Sequence, residues 1–272
     1  MKIILIVVAI IVAVLVVVQL ALAAKFGAQI NAARERVMAS QTSAAPDQMM
    51  IPSIVRAFAA RAGGQLGGPA AITIAQSAEM KLAPDQSFIP IEATQIYGTR
   101  DPGFVWHAWG SMASVVPVVV VDSYVSGGGW LEARIAGSIP VAIARGPDVD
   151  RGEAMRFLAE LPWNPDAMIN AAGLSWRQID QRTVEVALQT AGGPARVRLG
   201  FDETGDIVTA EADDRPRSVG DQNLPTPWIG RFSDYASFGN YRIPRLAEVA
   251  WILPEGEFVY WRGEIVSAAP VD

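Results

Sequence analysis

The sequence predicts a mainly β chain: an N-terminal apolar helix, then a curved antiparallel sheet with helices packed in its concave face. Three observations carry this. Short alternating segments separated by glycine- and proline-rich turns fill most of the chain after residue 68, without the helical crossovers a parallel sheet needs. One stretch, about 148–172, changes from strand to helical periodicity and back. The first segment is apolar without interruption except at Gln19.

Residues 3–24 number 22, and at about 1.5 Å per residue they reach across a hydrocarbon layer of roughly 30 Å. They show no amphipathic stripe, as befits a helix facing lipid all round. Ala21-Leu22-Ala23 also fits a signal-peptidase site, but the apolar run exceeds the usual 7–15 residues of a signal core, so an uncleaved anchor is the preferred reading. Lys2 precedes the span, whereas Lys25, Arg34 and Arg36 follow it. That count tilts toward a cytoplasmic domain. The signal-like start favours export, and the expectation is a single-pass inner-membrane protein with an extracytoplasmic, periplasmic domain. Residues 25–46 read as a linker that begins helical. The rest, 47–272, forms the β domain. Pro46-Asp47 opens a helix over about 47–62 with Met49, Met50, Ile54, Ala57 and Phe58 near one face, and Gly63-Gly64 ends it.

In "GFVWHAW", Phe104, Trp106 and Ala108 share one face and Val105, His107 and Trp109 the other. "VVPVVVVDSYV", apolar on both faces, turns at "SGGG" into "WLEARIAG". The same grammar resumes in "RTVEVAL", "ARVRLGF" and "DIVTAEA", and "AEVAWILPEGEFVYWRGEI" is a closing hairpin. In the insertion, Ala154, Phe157, Leu158 and Leu161 follow helical spacing and face the sheet. Asp150 and Glu153 have capping-box spacing, Pro162 stops the helix, and Asn164-Pro165 starts a second one that Gly173 closes. A strongly curved sheet leaves a concave face that strand side chains alone do not fill, and a crossing helix supplies the missing apolar surface.

Composition narrows function. The net charge is −6 with arginines scattered, which argues against nucleic acid. No cysteine is present, so disulfides and thiolate metal sites are excluded, and the single histidine leaves little for a histidine-based metal site or triad. No cofactor is expected. "GGGW" and "GGQLGG" precede strands rather than a helix N-terminus and do not form a phosphate loop.

The segments "DPGFVWHAWGSM", "RFLAELPWNPDAM", "LSWRQID", "PTPWIGRFSDY" and "YRIPRLAEVAWILPEGEFVYWRGEI" resemble an uncharacterised bacterial and archaeal domain-of-unknown-function family over most of residues 68–265. Arg156-x-x-x-Glu160 followed by Trp163-x-Pro165 is the most specific part. The strand–helix–strand order is in turn similar to the LolA-like half-barrels that carry lipoproteins. That resemblance implies a fold and a lipid-like ligand, but no catalytic residues.

Candidate cavity or rim residues are Arg156, Glu160, Trp163, Trp106, Trp176, Trp228, Tyr235 and Trp251. Arg156 and Glu160 are four apart and can pair, although an exposed pair in this order contributes only about 0.3–0.5 kcal/mol. The eight tryptophans are either large core residues or cavity walls. Carboxylates at strands and turns, Asp122 and Glu132 among them, are mostly turn and surface groups. His107 on a strand is more often a packed residue than a base. The expected function is a membrane-anchored envelope protein, not an enzyme, that binds an apolar or lipid-like ligand. The alternatives are a carboxylate-dependent envelope hydrolase and a ligand-free structural or interaction domain.

Overall fold

A computed structural model describes residues 1–39, 46–112 and 115–271; part of the expected linker, 40–45, lies outside them. The strands are β1 (Ala71–Met80), β2 (Ile89–Gly98), β3 (Phe104–Met112), β4 (Val116–Val125), β5 (Gly128–Ile135), β6 (Ile139–Ala144), β7 (Ser175–Gln178), β8 (Thr183–Thr190), β9 (Gly193–Phe201), β10 (Ile207–Val219), β11 (Gln222–Phe238), β12 (Tyr241–Leu253) and β13 (Gly256–Val271). They form one antiparallel sheet in the order β6-β5-β4-β3-β2-β1-β13-β12-β11-β10-β9-β8-β7.

This order explains the helical insertion. The chain meanders outward from β1 to β6 at one edge, and β7 lies at the opposite edge. The connection must span the whole sheet, and it does so through α3 (Pro147–Ala159), a 3-10 turn (Leu161–Trp163) and α4 (Pro165–Asn170). β7 to β13 then meander back until β13 pairs with β1. The sheet curls enough for α3 to pack against β4 and β5 on one arm and β8, β9 and β10 on the other. Two glycines admit it. A Cβ on Gly129 would lie 2.7 Å from the Val149 carbonyl, and one on Gly192 would lie 2.0 Å from the Pro147 oxygen. Both were legible only as turn residues; they also seat the first turn of α3 between the two arms. Ala154, Phe157, Leu158 and Leu161 are buried in the main core on the concave face.

Three local expectations are corrected. α3 starts at Pro147, favourable at a first helical position, so Asp150 and Glu153 do not form a capping box. Asp150 instead accepts a hydrogen bond from the Gly129 amide at 2.7 Å, and Glu153 is buried. The helix after Pro46 is shorter than expected: α2 spans Ser53–Arg61 behind a 3-10 turn at Gln48–Met50, which leaves Met49 and Met50 exposed. Lastly, α1 (Lys2–Ala39) continues unbroken through residues 25–39, which were expected as a linker. Phe26, Ile30, Ala33 and Val37 are spaced at helical intervals and pack on the convex face against Ile96, Val105, Val121 and Trp130. The most apolar stretch of α1, an 18-residue window with mean hydropathy 3.5, is not buried among the described residues.

Candidate functional site

α3 turns Phe157 and Leu158 into the core, and this places Arg156 and Glu160 on its flank over β2, β3 and β4. The Arg156 guanidinium donates to Asp122 of β4 at 2.5 Å and to Glu160 at 2.8 Å. It also lies about 5.0 Å from the Phe104 ring and 5.1 Å from the Trp106 ring. Glu160 accepts from Gln95 Nε2 at 2.6 Å and from the Tyr97 hydroxyl at 3.0 Å. The pair therefore ties the helix to three strands and is not a surface ornament. Burial opposes the charge on Arg156, but Glu160 and Asp122 hold its pKa above the ordinary arginine value. Burial, then the Glu160 carboxylate, pushes the Tyr97 hydroxyl well up. Removing one member of so enclosed a set leaves another charge without its partner.

Beside this network lies a cavity of about 280 Å³ between α3 and strands β3, β4 and β10–β13. Trp106, Trp163, Trp228, Trp251 and Trp261 line it, and Arg156 and Glu160 stand at its wall. The indoles are fixed at their polar ends: Trp106 donates to Gln76 at 2.8 Å, Trp163 to the Pro244 carbonyl at 2.9 Å, and Trp228 to the Tyr260 hydroxyl at 3.0 Å. With these N–H groups satisfied, the rings serve as apolar wall. Trp163 packs edge-on against Phe232 and Trp261.

Two expected residues lie elsewhere. Trp176 sits on the short edge strand β7, half-buried against the core, and is not part of the lining. Tyr235 packs edge-on against Phe58 of α2 and donates to the Ile207 carbonyl at 2.7 Å, in the floor of the domain. His107 occupies the convex face beside Trp109, away from the cavity. Burial, then Arg34, lowers its pKa.

The cavity also holds groups that sequence patterning missed. Glu153 of α3 is 6 % exposed, and burial first, then the neighbouring Asp122 carboxylate, holds its carboxyl well above the usual range. Glu153 Oε2 and Asp122 Oδ1 have no hydrogen-bond partner among the described residues. Arg215 of β10 is 8 % exposed, with its guanidinium about 5.0 Å from the Trp228 ring and 5.5 Å from the Trp251 ring. Its inward direction comes from a bulge, because the β10–β11 register shifts between Ala212 and Arg215 and resets the alternation. Among the described residues no group of three or more His, Cys, Asp or Glu could hold a metal ion.

The model of a family of unknown function, DUF6544, matches residues 41–263. No curated protein matches the sequence. Among solved structures, the chain is similar in fold to a LolA superfamily protein from Nitrosomonas europaea, with 12% identity over 80% of this chain and 94% of that one and a TM-score of 0.46. It is similar also to a domain named for outer membrane lipoprotein sorting from Vibrio parahaemolyticus, with 10% identity over 80% and 91% and a TM-score of 0.46. A DUF1329 family protein from Desulfovibrio piger shares 7% identity over 79% and 91%, with a TM-score of 0.37.

Proposed function

We propose, from the premise that this chain belongs to the DUF6544 family, that it is a membrane-anchored envelope protein whose half-barrel binds an apolar or lipid-like ligand as a carrier, receiver or sensor. The observation that carries this reading is the cavity of about 280 Å³ walled by five tryptophans. That volume lies just below the range of small-molecule sites, which run from roughly 300 to 1,000 Å³ and are lined mainly by apolar and aromatic groups. A domain whose only task was to be rigid would gain stability by filling such a space. The unpacked apolar stretch of α1 supplies the membrane attachment, so the protein acts where it is anchored. Its role is binding rather than catalysis.

Native mass spectrometry of the full chain released from detergent micelles tests the reading. A retained adduct of lipid-like mass is expected, and Val249→Trp, which fills the cavity from β12, is expected to displace it. A folded protein that carries no adduct and takes up no added alkyl ligand would refute it. A C-terminal alkaline phosphatase fusion tests the orientation: it is active if the domain lies outside the cytoplasm and inactive if the domain lies inside.

The Asp122–Glu153 pair supports a second reading, a carboxylate-dependent hydrolase, because a carboxyl raised by burial and by a neighbouring carboxyl is a feature of acid–base sites. Against it, one Asp122 oxygen is committed to Arg156 and Glu153 is buried. Glu153→Gln separates the readings, since it leaves ligand retention intact under the first and abolishes any turnover under the second.

A further inference from the structure

We infer that the cavity selects an amphiphile with an anionic head, and that Arg215 is the residue that reads the head. The inference rests on the cavity being a binding site and adds the chemical class of what it takes. A guanidinium buried to this degree normally has a carboxylate beside it, as Arg156 in the same cavity has two. Arg215 has none: it forms no ion pair among the described residues, its Nη1 donates to the Tyr260 hydroxyl at 3.1 Å, and its Nε has no hydrogen-bond partner. Of the nearby carboxyls, Asp122 is committed to Arg156, and neither Asp122 nor Glu153 forms an ion pair with Arg215 among the described residues; they favour its charge only through space.

Arg217 follows two residues later on β10, lines the same cavity, and lies about 6.0 Å from the Trp251 ring, with one long bond of 3.4 Å from Nε to Thr226. Two arginine forks thus line a cavity whose wall is mainly apolar and otherwise carries the Arg156 network, Glu153, Asp148 and Glu248. A planar guanidinium matches carboxylate, phosphate or sulfonate geometry and is weakly hydrated, so it suits a dry pocket. Trp228 and Trp251 hold the Arg215 fork in place from their faces and continue as apolar wall. The cavity's volume suits a single short alkyl chain behind that head and is too small for a whole two-chain lipid.

The test uses the full chain in discs of neutral phosphatidylcholine, with empty discs as the reference and tryptophan fluorescence as the readout. The probes are decanesulfonate, decanol and methanesulfonate: head with chain, chain without charge, and charged head alone. Decanesulfonate is expected to bind at least about tenfold tighter than decanol, a difference of about 1.4 kcal/mol. Methanesulfonate is expected to bind far more weakly than decanesulfonate. Arg215→Gln should reduce the sulfonate preference to less than about twofold while leaving decanol binding in place, and Arg215→Lys should restore part of it. Equal binding of decanesulfonate and decanol by the unaltered protein overturns the inference and leaves the apolar-ligand reading standing. A preference that survives Arg215→Gln overturns the role of Arg215. Tight methanesulfonate binding reveals a free-anion site and overturns the amphiphile, and failure of both decyl probes removes the binding-site reading itself. Should Arg215→Gln not fold, the ratio for the unaltered protein and its decrease in Arg217→Gln decide.

Discussion

On the convex side of the sheet, α1 lays Phe26, Ile30, Ala33 and Val37 against strand residues, and the buried carboxylate there is matched: Glu132 accepts from Trp130 at 2.9 Å and pairs with Arg134 at 2.6 Å, whose guanidinium covers the Phe26 ring at 4.2 Å. On the concave side, α3 packs as densely along Phe157 and Leu158, yet beside it lie a cavity and every buried side-chain atom without a partner among the described residues: Gln76 Nε2, Asp122 Oδ1, Glu153 Oε2 and Arg215 Nε. The same sheet supports both. The unfilled space is therefore local to one wall of α3 and does not reflect a loosely packed chain. Unsatisfied buried polar atoms are rare in proteins, and their concentration around one cavity marks where something other than folding has set the residues.

The largest effects should come from breaking the concave side. Phe157→Ala removes a fully buried ring and should cost about 3–5 kcal/mol in denaturant unfolding. A loss under about 1 kcal/mol would mean that the helix does not contribute to the core. Arg156→Ala should cost a similar amount, about 3–5 kcal/mol, because Asp122 and Glu160 lose their shared cation. A negligible shift of the midpoint would reduce the network to decoration.

Glu153 sharpens the comparison through pH. Its carboxyl is raised in the folded state, so the folded chain binds a proton that the unfolded chain has released. The stability it contributes is fully present below the unfolded value, 4.5, and is lost as pH rises toward the raised folded value. Glu153→Gln keeps a neutral donor toward Asp122. Its stability relative to the native protein should grow with pH above 4.5 by up to about 1.4 kcal/mol per unit. Parallel pH–stability curves would show that the carboxyl titrates normally. Arg134→Ala on the convex side should cost less than Arg156→Ala, about 1–3 kcal/mol, because it strands one buried carboxylate, Glu132, which keeps the Trp130 donor, and it should leave ligand retention untouched.

Much of the fold was legible in the sequence. Alternation with turn signals gave the two meanders, and the change of period located the insertion within a residue or two of α3 and α4. The continuation of α1 was present as well, in the spacing of Phe26, Ile30, Ala33 and Val37, but the apolar run before it drew the reading toward a span and a linker. Arg156, Glu160, Trp163, Trp106, Trp228 and Trp251 were found because charge in a helical core stripe and large aromatics on strands are visible in one dimension. Arg215 was hidden by the bulge that follows Ala212: plain alternation from that residue points it outward. Glu153 was hidden because three-residue spacing from Asp150 imitates a cap, and only the position of Pro147 shows that the helix is already a turn old.

The unbroken passage of α1 from its apolar half onto the sheet has a kinetic meaning. A flexible tether lets a domain sweep out a volume and offer its pocket in every direction, at an effective concentration set by the tether's length. Here about 57 Å of one helix is shared between an apolar half and the domain, clamped from Phe26 to Val37. With the apolar half in a bilayer, the domain has a fixed height and tilt, and its remaining freedoms are diffusion in the membrane plane and rotation about the normal. Any partner or ligand donor must present itself at that height and angle, so encounters are a two-dimensional docking problem. A hinge of several glycines placed after Ala24 would turn it back into a three-dimensional one without altering the pocket.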